Sequence, residues 1–203
     1  MINAQKIFFF LIGALLVYSC IKEPDYPNEP VIEFSKIIQT NTPSVDEVIV
    51  EVTFQDGDGD LGLAANEVDS YPDYGEYLVD EFGNILIDEA TGDSIPNPFF
   101  FNYFIDIWKM GADGQYALVN LPDGVSFNGR YPILNELMNE TALEGELRYQ
   151  IDILYGGGSP ISRGDVIKFK VQIADRAKQL SNEVWTDSVI VGEPQVPSVN
   201  TGG

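Results

Sequence analysis

Apolar and polar residues alternate with period two along most of this chain. In Glu47–Gln55, Val48, Val50, Val52 and Phe54 share one face, while Glu47, Glu51, Thr53 and Gln55 share the other. Leu147, Tyr149, Ile151 and Ile153 repeat the pattern within Glu146–Tyr155, and Ile167, Phe169, Val171 and Ile173 repeat it within Asp165–Asp175. Successive side chains of a strand point to opposite faces, so each segment predicts a strand with one buried and one wet face. Phe99–Lys109 is apolar at Phe99, Phe101, Tyr103, Ile105 and Ile107 and nearly so on its second face, which predicts a central strand covered on both sides. Val31–Ile38, Gln115–Val119 and Glu183–Val191 carry weaker strand patterns, and Ile133–Asn139 fits a short helix.

Seven strands, each with an apolar face and bounded by Gly, Asp, Asn and Pro, predict an all-β fold of two packed antiparallel sheets. Their irregular spacing favours a β-sandwich over an up-and-down barrel. The expected domain covers residues 31–192, with an acidic insertion at 56–98 between the second and third core strands and a frayed tail at 193–203.

The N-terminus departs from this pattern. Ile7–Val17 is an unbroken apolar run preceded by a single charge, Lys6. Eleven residues are too few to cross a bilayer, which takes about 20, and suit the apolar region of a secretion signal. The run leads into Ser19-Cys20, and Cys20 is the only cysteine of the chain. A small residue and a cysteine directly after such a run resemble the lipobox of bacterial lipoprotein precursors, although Tyr18 is bulkier than the pattern usually has. The resemblance implies a signal peptide at 1–19, cleavage before Cys20, acylation of its thiol and new amino group, and a lipid anchor in the cell envelope. The plainer alternative is an ordinary signal peptide with a chance cysteine. Residues 20–30 read as the lipidated cysteine and a flexible, proline-rich tether. Lys22, Glu23 and Asp25 resemble the charged export tag of Bacteroidetes surface lipoproteins, or else form a plain solvated linker.

Charge and composition narrow the function. A net charge of −21 repels nucleic acid, whose binding depends on Lys and Arg neutralising phosphates. The chain has no histidine, which removes His-dependent triads and the usual zinc sites, and the lone cysteine leaves no thiol for catalysis once lipidated. Composition leaves carboxylate-based glycoside hydrolysis open. The expectation is a non-enzymatic protein.

The acids are unevenly placed. From Asp56 to Asp93 there are twelve acidic residues and no Lys or Arg. This stretch opens with Asp56-Gly-Asp58-Gly-Asp60-Leu-Gly62-Leu63. Aspartates at i, i+2 and i+4 with glycine between them can converge on one hard cation, and calcium takes six to eight oxygens. Glu67 stands twelfth from Asp56, where a helix–loop–helix calcium loop places its bidentate glutamate. The sixth position is Leu61 rather than glycine, and a strand leads in, so the loop is strand-borne. Asp56, Asp58 and Asp60, with Glu67 or Asp69, are the candidate calcium ligands. A solvated acidic turn is the alternative.

Phe54–Leu63 resembles the DGDGDLGL element of uncharacterised Bacteroidetes lipoproteins, and Gly164–Asn182, with its Asp175-Arg176-Ala177 turn, is similar to their C-terminal stretch. Ala142–Leu147 is a weaker likeness. The resemblance implies an immunoglobulin- or fibronectin-III-like sandwich on an outer-membrane lipoprotein and carries no established activity. The expected role is a surface interaction or structural module, held at the membrane by its lipid anchor, with an envelope protein or a glycan of unknown identity as its partner; a glycan-binding accessory protein of a nutrient-uptake system is the alternative. The aromatics Phe99, Phe100, Phe101, Tyr103, Phe104 and Trp108 offer a sugar-stacking platform or, more simply, core. Asp93-Ser94-Ile95 and Asp187-Ser188-Val189 resemble the O-glycosylation signal of the same bacteria. Arg163-Gly164-Asp165 reads as a turn rather than an adhesion motif.

Overall fold

The best-patterned segment of the sequence forms the middle strand of the first sheet. The computed structural model describes residues 24–64, 72–135, 141–155 and 157–193. In it β1 (Val31–Asn41), β2 (Val45–Asp56) and β5 (Leu143–Leu154) form one antiparallel sheet in the order β1-β2-β5. The second sheet holds β3 (Tyr103–Met110), β4 (Tyr116–Leu118), β6 (Val166–Ile173), β7 (Val184–Trp185) and β8 (Val189–Ile190), with β3 between β4 and β6. Both β7 and β8 pair with β6, and every strand pairing is antiparallel. The fold is an all-β sandwich. Among the described residues the only helical element is a 3-10 turn at Pro72–Tyr74.

The inward rows of the two sheets make the core. Val48, Val50 and Val52 of β2 are fully buried against Ile167, Phe169, Val171 and Ile173 of β6 and Ile105 and Ile107 of β3. Each such side chain contributes about 1.5–3 kcal/mol through burial. Tyr103 stacks on Tyr149 at 4.3 Å between ring centroids and 18° between planes, joining β3 to β5. Leu61 and Tyr131 close the core at one end, and Val191 and Ile161 also pack against it.

Four expectations about the strands and the short helix need correcting. Glu51, read as a wet residue, is fully buried. Register places Lys36 of β1 and Arg148 of β5 directly opposite it, and both pair with its carboxylate, Lys36 at 2.9 Å. Opposite charges facing each other across strands are a favourable pair, and here the two long side chains also cover the glutamate. Second, the segment read as a strand from Phe99 joins the sheet only at Tyr103. Asn97 Nδ2 bonds the carbonyls of Asp73 and Gly75, and Asn102 exchanges bonds with Tyr131, so side chains rather than a ladder hold this stretch. The outer residues of β3, Phe104, Asp106 and Trp108, are half-buried rather than covered. Third, Glu183–Val191 breaks into β7 and β8, because Thr186 turns its hydroxyl to accept the Phe169 N–H. Fourth, Ile133–Asn135 carry no helix; the rest of that expected helix lies outside the described residues.

Residues 76–97 form a small projecting ribbon in which Leu86 N–H donates to Leu78, Leu78 N–H to Ile95 and Ile95 N–H to Leu86. Ser94 sits in this ribbon, bridging Ile87, and Ser188 lies 2.6 Å from the Tyr116 hydroxyl. Arg163-Gly164-Asp165 is the turn into β6, closed by the Gly164 N–H on Val191 and by a Lys109–Asp165 ion pair at 3.2 Å. The stretch read as a free tether is docked from Tyr26 onward: Tyr26 bonds Glu144, and the Pro27 carbonyl accepts the Gly57 N–H at 2.7 Å.

Candidate metal centre

The inward row of β2 runs Val48, Val50, Val52, Phe54, and its next member is Asp56. The strand's own alternation therefore delivers a carboxylate into the end of the core, where it is fully buried. Directly after it the chain folds back on itself, as the Asp60 N–H donates to Asp56 Oδ2 at 3.1 Å. Gly59 and Gly62 adopt φ of 71° and 99°, and a Cβ at either would lie within 2.2 Å of a neighbouring backbone oxygen. Only glycine allows both the left-handed turn and that close approach. Leu61 and Leu63 point into the core as anchors, and the loop is tied down by the Leu63 N–H on Tyr131 and the Leu134 N–H on Leu61.

This folding brings together one carboxylate oxygen each from Asp56, Asp58 and Asp60, all within 4.8 Å of one another. The sequence pattern and the geometry agree on these three. Glu67 and Asp69 lie outside the described residues, as does Cys20. A fourth acid, Asp175, was not among the residues expected here. It is 3% exposed and stands just beyond β6. The signal for it was present, because the inward row Ile167, Phe169, Val171, Ile173 extends by the same alternation to Asp175. The turn that carries it packs on the acidic loop: Asp60 Oδ2 accepts the Ala177 N–H at 3.0 Å, and the Asp60 carbonyl accepts the Arg176 N–H at 3.3 Å.

The electrostatics of this group are unfavourable as it stands. Asp56 Oδ1, Asp58 Oδ1, Asp60 Oδ1 and Asp175 Oδ2 are all buried without a hydrogen-bond partner. Burial first, then the charges of Asp58, Asp60 and Asp175, push the Asp56 carboxyl up to about 7. Burial and the neighbouring Asp60 and Asp58 likewise raise Asp175 to about 6, against the backbone N–H of Gln179, which favours its charged form. Asp60 is raised by burial and by Asp58. The phenol of Tyr131 is pushed up by burial and then by Asp56, Asp175 and Asp60, which places it beside the same charges. The neighbouring cation, Arg176, has its guanidinium 5.4 Å from the Tyr74 ring centroid and 3.4 Å from the Gly62 carbonyl, and its pull on Asp60 is outweighed.

Buried polar atoms are nearly always satisfied, and buried charges are paired or bind metal. Three clustered aspartates, each with an orphaned carboxylate oxygen, fit a hard divalent cation by donor type and charge. The same crowding fits poorly with proton-transfer chemistry on a bulky substrate, because Asp56 and Asp175 are sealed from solvent and only Asp58 and Asp60 are half-buried.

Comparisons with protein-family models, with curated proteins and with solved structures return no match.

Proposed function

We propose that this chain is a non-catalytic lipoprotein of the bacterial cell envelope, an interaction or structural module whose β-sandwich is held closed at one end by calcium. The observation that carries the reading is the convergence of one carboxylate oxygen each from Asp56, Asp58 and Asp60 within 4.8 Å on the loop after β2, with a buried, partnerless oxygen on each of the three. Calcium accepts irregular shells of six to eight oxygens, whereas magnesium demands a tight octahedron and retains its waters. The half-buried Asp58 and Asp60 leave room for water to complete a calcium shell. An immunoglobulin- or fibronectin-III-like topology, with residues 56–98 as its acidic insertion, is part of the same reading. Anchoring rests on the apolar run ending at Cys20. The decisive experiment is a calorimetric calcium titration of the full-length protein in detergent after chelator treatment. One saturable site, much weaker for magnesium, supports the proposal; absence of calcium binding removes the metal from it. Cys20→Ser should abolish labelling by an alkyne fatty acid, and equal label on variant and wild type would remove the anchor.

One observation favours a second reading, glycan binding. The outer face of the second sheet carries Trp108, Tyr116 and Trp185, with Trp185 41% exposed and edge-on to Trp108 at 5.2 Å. Lys168 Nζ lies 4.3 Å and 4.2 Å from the Tyr116 and Trp185 ring centroids. Of the aromatics the sequence pointed to, this set shares only Trp108, and Tyr103 belongs to the core. A glycan array in which Trp185→Ala abolishes any signal would promote this reading over the first.

A further inference from the structure

We propose that Asp175 is a direct ligand of the ion held by Asp56, Asp58 and Asp60, so that the metal bridges the two sheets of the sandwich. The proposal rests on the calcium reading above and adds to it a ligand and a mechanical role. Asp56 is the last residue of β2 in the first sheet, whereas Asp175 follows β6 of the second. Burying a carboxylate from each sheet at the same end of the sandwich is costly unless a cation lies there, since like charges repel.

The surroundings of Asp175 specify one oxygen and leave the other free. Oδ1 accepts the Gln179 N–H at 2.7 Å, which fixes the side chain within its turn. Oδ2 is buried and has no partner. The two residues after Asp175 are bonded to the acidic loop, the Ala177 N–H to Asp60 Oδ2 at 3.0 Å and the Arg176 N–H to the Asp60 carbonyl at 3.3 Å, so the free oxygen stands on a turn fastened to the three-aspartate group. The turn itself is held in a costly conformation: Lys178 sits at φ 66°, a region that L residues seldom occupy. The Ala174–Leu180 bridge and the Asp175 carbonyl, which accepts the Lys178 N–H at 3.3 Å, maintain it. The plainer account is that Asp175 only caps this turn. A capping role needs Oδ1 alone and leaves the burial of a charged, partnerless Oδ2 unexplained.

The consequence is a cross-link that exists only when metal is present. Without the ion, four carboxylates push the β2 loop and the β6 turn apart; with it, they are ligands of one centre. This end of the sandwich should therefore tighten across both sheets when calcium binds, rather than only within the acidic loop.

The test compares calcium affinity in full-length wild type, Asp175→Asn, Asp58→Asn and the exposed control Asp88→Asn, by calorimetry in detergent. Asn keeps the Oδ1 acceptor for Gln179 and removes the charge and one ligand oxygen. The expected result is at least about a tenfold loss of affinity in Asp175→Asn and Asp58→Asn, with Asp88→Asn close to wild type. Asp175→Asn binding like wild type, while Asp58→Asn is impaired, overturns the bridge and leaves the three-aspartate loop standing. A wild type that binds no calcium sinks both. Should Asp175→Asn fail to fold, hydrogen exchange on wild type decides: added calcium should protect amides of Gly59–Leu61 and of Ala177–Gln179 together. Protection confined to the first segment would overturn the proposal.

Discussion

Asp46 and Asp56 lie on the same face of the same strand, one near each end of β2, and both are almost wholly buried. Their surroundings are opposite. Asp46 receives hydrogen bonds from Gln39 Nε2 at 2.6 Å, Asn41 Nδ2 at 3.2 Å and the Gly192 N–H at 2.6 Å. It is a closed polar knot made of the chain's own donors. Asp56 keeps one oxygen without a partner and has Asp58, Asp60 and Asp175 for neighbours. Between them on the outer face of β2, Glu51 is buried beneath Lys36 and Arg148. One strand thus buries three carboxylates, and two are neutralised or bonded by the protein itself. The third keeps an oxygen without a partner, and the proposed metal site rests on that difference.

The sharpest way to break this contrast is to make the same substitution at both ends. Asp46→Asn replaces a charged acceptor with an amide that points N–H groups at existing donors. Hydrogen bonds to charged groups are worth about 1.5–3 kcal/mol each, so a loss of about 3 kcal/mol in denaturant unfolding is expected, equal with and without calcium. Asp56→Asn should act with the opposite sign in chelator, stabilising by about 1–2 kcal/mol as repulsion is relieved. In calcium the same variant should fall below wild type, because the ligand is gone. Destabilisation by Asp56→Asn in both conditions would make the two ends alike and end the comparison.

Acidity offers a gentler test. In the metal-free protein, folded Asp56 and Asp175 hold protons up to about 7 and about 6, well above their ordinary value of 3.8. The folded state then binds more protons than the unfolded one, so stability in chelator should decline as pH rises through this range. Glu51 works the other way. The hydrogen bond from Lys36, with Arg148 beside it, holds its carboxyl below the ordinary 4.5, so its contribution is present above that value and is lost on acidification. Melting curves across pH should therefore show metal-free stability peaking on the acid side of neutrality, with calcium removing the decline toward alkaline pH. A metal-free protein that gains stability between pH 5 and 8 would contradict the assignment.

Much of this was legible in the sequence, and the failures share a cause. The rows Val48–Phe54 and Ile167–Ile173 were visible because a buried sheet face enforces period two. The Asp56, Asp58, Asp60 triad was visible because aspartates spaced by glycines have few structural uses. Asp175 was missed because the inward row was ended at its last apolar member, Ile173, and a charged residue at the next inward position reads as wet. Glu51 was misread because a strand pattern cannot tell a wet residue from one covered by long side chains across the sheet. The aromatic run from Phe99 was drawn too long as a strand, since the side-chain bonds of Asn97 and Asn102 that replace the ladder leave no trace in hydropathy.

The central claim is that the partnerless carboxylates at the β2 end are a metal site on which the fold draws. Thermal melting of the full-length wild type, first in excess EDTA and then in millimolar calcium, tests it most directly. At a hundredfold excess of calcium over its Kd the folded state should gain about 2.7 kcal/mol. For a chain of this size that is a rise in Tm of roughly 5–10 °C. A melting temperature that ignores calcium would leave only a buried acidic turn without a metal and contradict the account.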